Sequence, residues 1–212
     1  MKSGKDQETC LKKLENIPKN AFSIHGLWPG LKSGEYLSDC QGKLTKDDIE
    51  AVANSTEKEF YENYMKKYWV SFKDNDIEFW LHEYNKHGLC YTNRKKQSNF
   101  TQYFKDTMNF FINNDFPNIL KNTFPYVTDP DSTTIGESIV ISVTKQDMDI
   151  IIKSFFPGAF YKINCELKNK VPGYLTEIYF YYDEDFKPYN VPFAISDNCG
   201  GELDDIKLVF KK

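Results

Sequence analysis

An α+β fold, with a mainly antiparallel sheet flanked by several helices, is predicted for this 212-residue chain by two observations. Apolar residues recur at helical spacing through the middle of the chain. Short apolar runs bounded by Gly, Pro and Asn fall toward its two ends and read as strands. The length fits one domain, 1–212, and 17 Phe with 14 Tyr suffice for a sizeable core. No internal repeat, low-complexity tract or linker divides it.

Taken in order, residues 1–20 are polar and Lys-rich. Ala21 to Leu27 is apolar, lies beside Gly26 and Pro29, and reads as a short strand. Gly30 to Gly42 is loop. Thr45 with Asp48 forms a capping-box pattern that opens a helix to about Ala53, and Thr56 with Glu59 forms another. Phe60, Tyr61, Tyr64, Met65 and Tyr68 then make a helical stripe, best read as core packing. Glu78 to His87 is free of Pro and reads as helix, with Gly88 as its stop. Arg94-Lys95-Lys96 is a small basic loop. Phe100, Phe104, Met108 and Phe111 mark a helix to about Asn114. Ile135, Ile139 and Val143 mark a further helix, with Thr134 and Glu137 at its start. Phe160 to Cys165, Tyr174 to Tyr182 and Ile206 to Phe210 read as strands.

The formal charge is −4, so binding to nucleic acid by bulk electrostatics is excluded and a local site would be needed. Arg94 is the only arginine. A phosphate would therefore be held by histidine, lysine or backbone N–H groups. No apolar run approaches a membrane span, and the first eight residues contain no apolar leader core. The five cysteines, Cys10, Cys40, Cys90, Cys165 and Cys199, are far apart and contain no CxxC. Four of them can form two long-range bridges, leaving one over. Asn54-Ser-Thr and Asn99-Phe-Thr are glycosylation sequons. These features point to an oxidising compartment and a missing leader.

The chemistry concentrates in two stretches. Trp80 to Cys90 holds His82 and His87, with Glu83 and Lys86 between them; His25 stands alone in Phe22-Ser-Ile-His-Gly-Leu-Trp-Pro29. On a regular helix His82 stacks over Lys86, and Glu83 over His87. Imidazoles give and take protons near neutrality, and a lysine or protonated histidine stabilises phosphoryl charge. A zinc site is a poor fit. HExxH needs two imidazoles four apart, whereas His82 and His87 are five apart and about 140° around a regular helix. No metal and no cofactor is expected.

Ile24-His-Gly-Leu-Trp-Pro29 and Phe79-Trp-Leu-His-Glu-Tyr-Asn-Lys-His-Gly-Leu-Cys90 resemble, in order and spacing, the two signature segments of the ribonuclease T2 family. The resemblance runs from about Cys10 to the C-terminus. It implies a secreted, lysosomal or vacuolar endoribonuclease acting as a monomer on single-stranded RNA and not on DNA. Such enzymes work by metal-independent transphosphorylation through a 2′,3′-cyclic phosphate. By resemblance His87 is the general base, His25 the general acid and His82 the phosphate-binding histidine. Glu83 and Lys86 match the positions that stabilise the phosphorane. Trp28 and Tyr36 resemble a base-stacking pocket and Phe79 part of a second base site, although Trp28 would serve equally as a core anchor. The family pattern pairs Cys40 with Cys90 and Cys165 with Cys199. It also implies that an N-terminal strand is lacking and that the partner of Cys10 is absent. Gly30 stands where some members have an acidic residue, Tyr84 where Trp is more usual and Leu89 where a hydroxyl residue is usual. A non-catalytic secreted module binding RNA or protein on the same fold is the alternative.

Overall fold

The computed structural model describes Pro18 and residues 21–55, 57–73, 75–96, 99–116, 118–119, 133–135, 138–168, 171–191, 197–199 and 205–211. Cys10 lies outside the described residues. The chain divides into two compact units, Met1–Asn118 and Ile119–Lys212.

The first unit is helical. Helix α1, Lys46–Ala53, opens on the expected capping box between Thr45 and Asp48. Helix α2 comprises Lys58–Phe60, a π-helical stretch Tyr61–Met65 and Lys66–Tyr68. Its N-cap is Glu57, which makes no side-chain capping bond; Thr56 lies outside the described residues. Helix α3 runs through Asp76–Glu83, a π-helical turn Tyr84–Gly88 and Leu89–Lys95. Helix α4 is Thr101–Asn113. The core consists of Ile49, Tyr61, Met65, Trp69, Trp80, Tyr103, Phe104 and Met108, each no more than 1% exposed. Tyr61, Met65, Phe104, Met108 and Phe111 of the two stripes thus pack inward, whereas Phe60, Tyr68 and Phe100 are half-buried and Tyr64, expected in the core, is 41% exposed.

Three local expectations fail here. Ala21–Leu27 is no strand among the described residues. Its backbone groups are met by other partners. Ile24 N–H donates to Tyr68 O at 2.7 Å, and Leu27 N–H donates to Tyr103 OH at 3.3 Å. Gly88 does not stop α3, which continues to Lys95. A Cβ on Gly88 would lie 2.4 Å from Tyr84 Cδ2 and 3.1 Å from Tyr103 Cδ1, so this glycine permits close ring packing inside a helix. Arg94 and Lys95 are in the last turn of α3 instead of a loop, and Arg94 Nη1 donates to Gly30 O at 3.1 Å.

Among its described residues the second unit holds a sheet and a helix. Strands β1 (Thr133–Ile135), β2 (Ser138–Thr144), β3 (Phe160–Lys168), β4 (Val171–Tyr181) and β5 (Asp205–Lys211) lie in the order β1-β2-β5-β4-β3. Pairings β1/β2, β2/β5 and β3/β4 are antiparallel; β4 meets β5 in parallel through Tyr174 and Lys207. The α+β class with a mainly antiparallel sheet therefore holds. The three later strands fall where the pattern places them. The helix expected over Ile135 to Val143 is instead β1 and β2. A spacing of four fits one face of a helix and also, being even, one face of a strand. The β-branched run Ile139-Val-Ile-Ser-Val143 decides for the strand. The true helix start is six residues beyond Ser138. Thr144 and Asp147 form a capping box that opens α5, Lys145–Phe155.

Val143 and Ile206 are a buried cross-strand pair, joined in the core by Leu208, Met148, Ile152 and Ile163. The Cys165–Cys199 disulfide is buried here, and Asn198 brackets it, accepting from Cys165 N–H at 2.8 Å and donating to Cys165 O at 3.0 Å. Among the described residues, no helix is long and apolar enough to cross a membrane.

Candidate active site

The site lies wholly in the first unit and is organised around Glu83, a carboxylate that is 2% exposed at the middle of α3. Oε2 accepts from the indole Nε1 of Trp28 at 2.8 Å. Oε1 faces two imidazoles: His25 Nε2 at 3.6 Å and His82 Nε2 at 4.0 Å. Burial raises the pKa of Glu83; the Trp28 hydrogen bond and the charges of His25, His82 and Lys86 oppose that rise. The side chains of His25 and His82 are 49% and 63% exposed, so both imidazoles can meet a ligand from solvent.

His87 is the opposite case. It is 1% exposed, and its pKa is lowered to about 4, first by burial and then by the nearby cations Lys86, His82 and His25. Nδ1 lies 3.3 Å from Leu37 O. A hydrogen bond to that carbonyl requires the proton on Nδ1, which leaves Nε2 as the basic nitrogen. The Trp28 ring stacks on His87 at 4.8 Å, and Tyr36 meets it edge-on at 5.5 Å.

The sequence places these groups through three devices. First, the π-helical turn Tyr84–Gly88 hydrogen-bonds from i to i+5, which brings residues five apart toward alignment. The 140° offset expected for His82 and His87 on a regular helix is thereby reduced. Secondly, Gly26 lets the His25 segment lie against Glu83: a Cβ there would meet Glu83 Oε2 at 2.3 Å and Trp28 Nε1 at 2.6 Å. Thirdly, the backbone of His25 is clamped from below. Trp69 Nε1 donates to His25 O at 2.9 Å, and Trp80 Nε1, on α3, donates to Trp69 O at 2.6 Å. Tyr103 OH donates to Leu27 O at 3.1 Å.

The 36–44 loop is bound to the same helix. Asp39 N–H donates to Lys86 O at 2.9 Å. Asn85 accepts from Leu44 N–H at 2.7 Å and donates to Leu44 O at 3.0 Å. The Cys40–Cys90 disulfide completes the attachment, with Cα atoms 5.1 Å apart. Lys86 Nζ lies 5.9 Å from the centre of the Tyr36 ring. A concavity of about 320 Å³ lined by Asp39, Glu78, Leu81, His82, Asn85 and Lys86 runs along the outer face of α3.

The structure thus brings His25, His82, Glu83, Lys86, His87, Trp28 and Tyr36 together. Phe79 joins them beside His25, with ring centroids 5.8 Å apart. Asn54 and Asn99 are exposed elsewhere on the unit; Asn54 Nδ2 donates to Glu50 O, and Asn99 Oδ1 accepts from Thr101. Among the described residues, no group of three or more His, Cys, Asp or Glu could hold a metal ion. Sequence reasoning missed Gly26, Leu37, Trp69, Asn85 and Tyr103. Only Gly26, within the His25 motif, left a readable signal. The others act through backbone atoms or across long separations that pattern cannot reveal.

Residues 2–199 match the model of the ribonuclease T2 family. Ribonuclease Rh of Rhizopus niveus is 30% identical over 199 residues, covering 88% of this chain and 76% of that protein. Ribonuclease T2 of Aspergillus oryzae is 28% identical over 174 residues, covering 78% of this chain and 58% of that one, so the chain spans little more than half of that relative. Ribonuclease MC1 from bitter gourd seeds shares the fold, with a TM-score of 0.59 at 24% identity over 88% of this chain and 84% of its own. Two motifs, a nearly chain-long family match and a shared fold lead to one conclusion: this chain belongs to the ribonuclease T2 family.

Proposed function

We propose that the protein is an endoribonuclease that cleaves single-stranded RNA by transphosphorylation through a 2′,3′-cyclic phosphate, without a metal ion. The observation that carries this reading is the convergence of two imidazoles from distant segments on one buried carboxylate. His25 and His82 stand 3.6 and 4.0 Å from Glu83 Oε1, beside a His87 that burial keeps neutral. In-line displacement at phosphorus needs a base on one side and an acid on the other. His87, basic at Nε2, takes the proton of the 2′-hydroxyl, whose oxygen attacks phosphorus. His25 protonates the departing 5′-oxygen. His82 holds a non-bridging phosphate oxygen, and Lys86 stabilises the charge of the phosphorane. Glu83 keeps the two exposed imidazoles in place. Dependence on the 2′-hydroxyl excludes DNA as a substrate.

The two disulfides, Cys40–Cys90 and Cys165–Cys199, support a secreted, lysosomal or vacuolar location. The test is release of a cyclic phosphate from a dinucleotide with EDTA present. His87→Ala should lower turnover by about 10²–10⁴-fold. Loss of wild-type activity in EDTA, or RNA binding with no turnover, refutes the reading.

A further inference from the structure

Every polar group of Trp69 is used to join His25 to the helices around it. The backbone N–H of Trp69 donates to Met65 O, on α2, at 2.8 Å. Its carbonyl accepts from the indole Nε1 of Trp80, on α3, at 2.6 Å. Its own indole Nε1 donates to His25 O at 2.9 Å. The ring is fully buried against Tyr103 and Phe104 of α4, with centroids 5.9 and 5.5 Å apart. Beside it, Tyr68 O accepts from Ile24 N–H at 2.7 Å, so residues 24 and 25 are both bonded to the pair 68 and 69. The His25 imidazole, in contrast, is half-exposed and stands 3.6 Å from Glu83 Oε1, longer than the usual hydrogen bond of about 2.7–3.2 Å. Its backbone therefore carries much of its aim.

We propose that Trp69 is the positioning residue of the general acid. A relay of two indoles, Trp80 to Trp69 to His25, ties the acid to the helix that carries His82, Glu83, Lys86 and His87. It thereby sets the reach of the His25 imidazole to the departing 5′-oxygen. This rests on the ribonuclease reading, in which His25 is the acid. A donor held on the carbonyl of His25 fixes the peptide plane next to the Cα from which the side chain departs. Loss of that donor lets the plane tilt, and a misplacement of about 1 Å at a reacting group costs about 10²-fold in rate. A core tryptophan whose N–H is merely satisfied would lose stability without its donor. It would have no reason to slow one chemical step more than another.

The leaving group separates the acid from every other part of the site. The 5′-oxygen of a nucleoside leaves as an alkoxide and needs a proton, whereas para-nitrophenolate leaves without one. Trp69 is replaced by its benzothienyl analogue, which keeps both rings and carries sulfur in place of the N–H. On a dinucleotide kcat should fall by about 10- to 100-fold, with KM barely changed. On a nucleoside 3′-(para-nitrophenyl phosphate) kcat should stay near that of the wild type. His25→Ala should show the same selectivity more strongly. Trp80→Phe, which leaves the Trp69 carbonyl without its donor, should show it more weakly. That variant decides the matter if the protein with the analogue does not fold. A loss equal on the two substrates, or no loss on the dinucleotide, overturns the proposal and leaves the ribonuclease reading standing. A wild type that cleaves neither substrate overturns both.

Discussion

Gly26→Ala places one methyl group where the His25 segment meets α3. The new Cβ would stand 2.3 Å from Glu83 Oε2 and 2.6 Å from Trp28 Nε1, against a practical minimum of 3.0 Å. Something must retreat by about 0.7 Å or more. Helix α3 is the less movable partner, because Asn85, the amide of Asp39 and the Cys40–Cys90 disulfide all fasten it to the 36–44 loop. Either the Glu83 carboxylate swings aside or the segment carrying His25 retreats, and both break the placing of the His25 imidazole against Glu83. Overpacking of this kind costs about 1–3 kcal/mol in stability. A displacement approaching 1 Å at a catalytic group costs about 10²-fold in rate. Urea unfolding should report the first loss and dinucleotide turnover the second. A variant with wild-type stability and wild-type turnover would refute the close-approach role of Gly26.

The acid limb of kcat/KM should fall near pH 4, because the base, His87, stays neutral down to about that pH. An inflection at the ordinary imidazole value near 6.5 would contradict the burial of His87. Stability should follow the same group. The unfolded chain takes up a proton at about pH 6.5 that native His87 refuses until about pH 4, so stability is full above the first value and declines as pH falls toward the second. His87→Gln should flatten that decline in urea midpoints measured across the interval; an unchanged slope would assign it to other groups. Removing the Cys40–Cys90 bridge, which closes a separation of 50 residues, should cost about 4 kcal/mol on the chain-entropy model. Unfolding of a double Cys→Ala variant checks this, and a midpoint matching the wild type would show that the loop is held without the bridge.

Much of the architecture was legible in the sequence because period and chemistry agreed. The Phe104/Met108/Phe111 stripe admits only one face, and the apolar runs Phe160 to Cys165 and Tyr174 to Tyr182 are separated by Pro172 and Gly173. The stretch 135–143 was misread because a spacing of four suits a helix and a strand alike. The three histidines stood out as candidates because so few were present and all lay in Gly-punctuated aromatic motifs. Their convergence was less legible. A 3.6-residue period cannot foresee a π-helical turn, which carries no composition of its own. Nor can it show that Ala21–Leu27 bonds to the carbonyl of Tyr68 and the hydroxyl of Tyr103 instead of to a strand.

The π-helical turn also fixes the length of α3. The wide turn Tyr84–Gly88 absorbs one residue, so Cys90 and Arg94 stand where a regular helix one residue shorter would put them. Without it, a helix of the same length would rotate everything beyond the turn by about 100° relative to Glu83. Cys90 would then swing away from Cys40, and Arg94 away from Gly30. The helix is indexed at two points along its length, and the wide turn between them is what allows one rod to satisfy both. Inserting one further residue between Gly88 and Cys90 should therefore appear first as two free thiols, before any change in helix content.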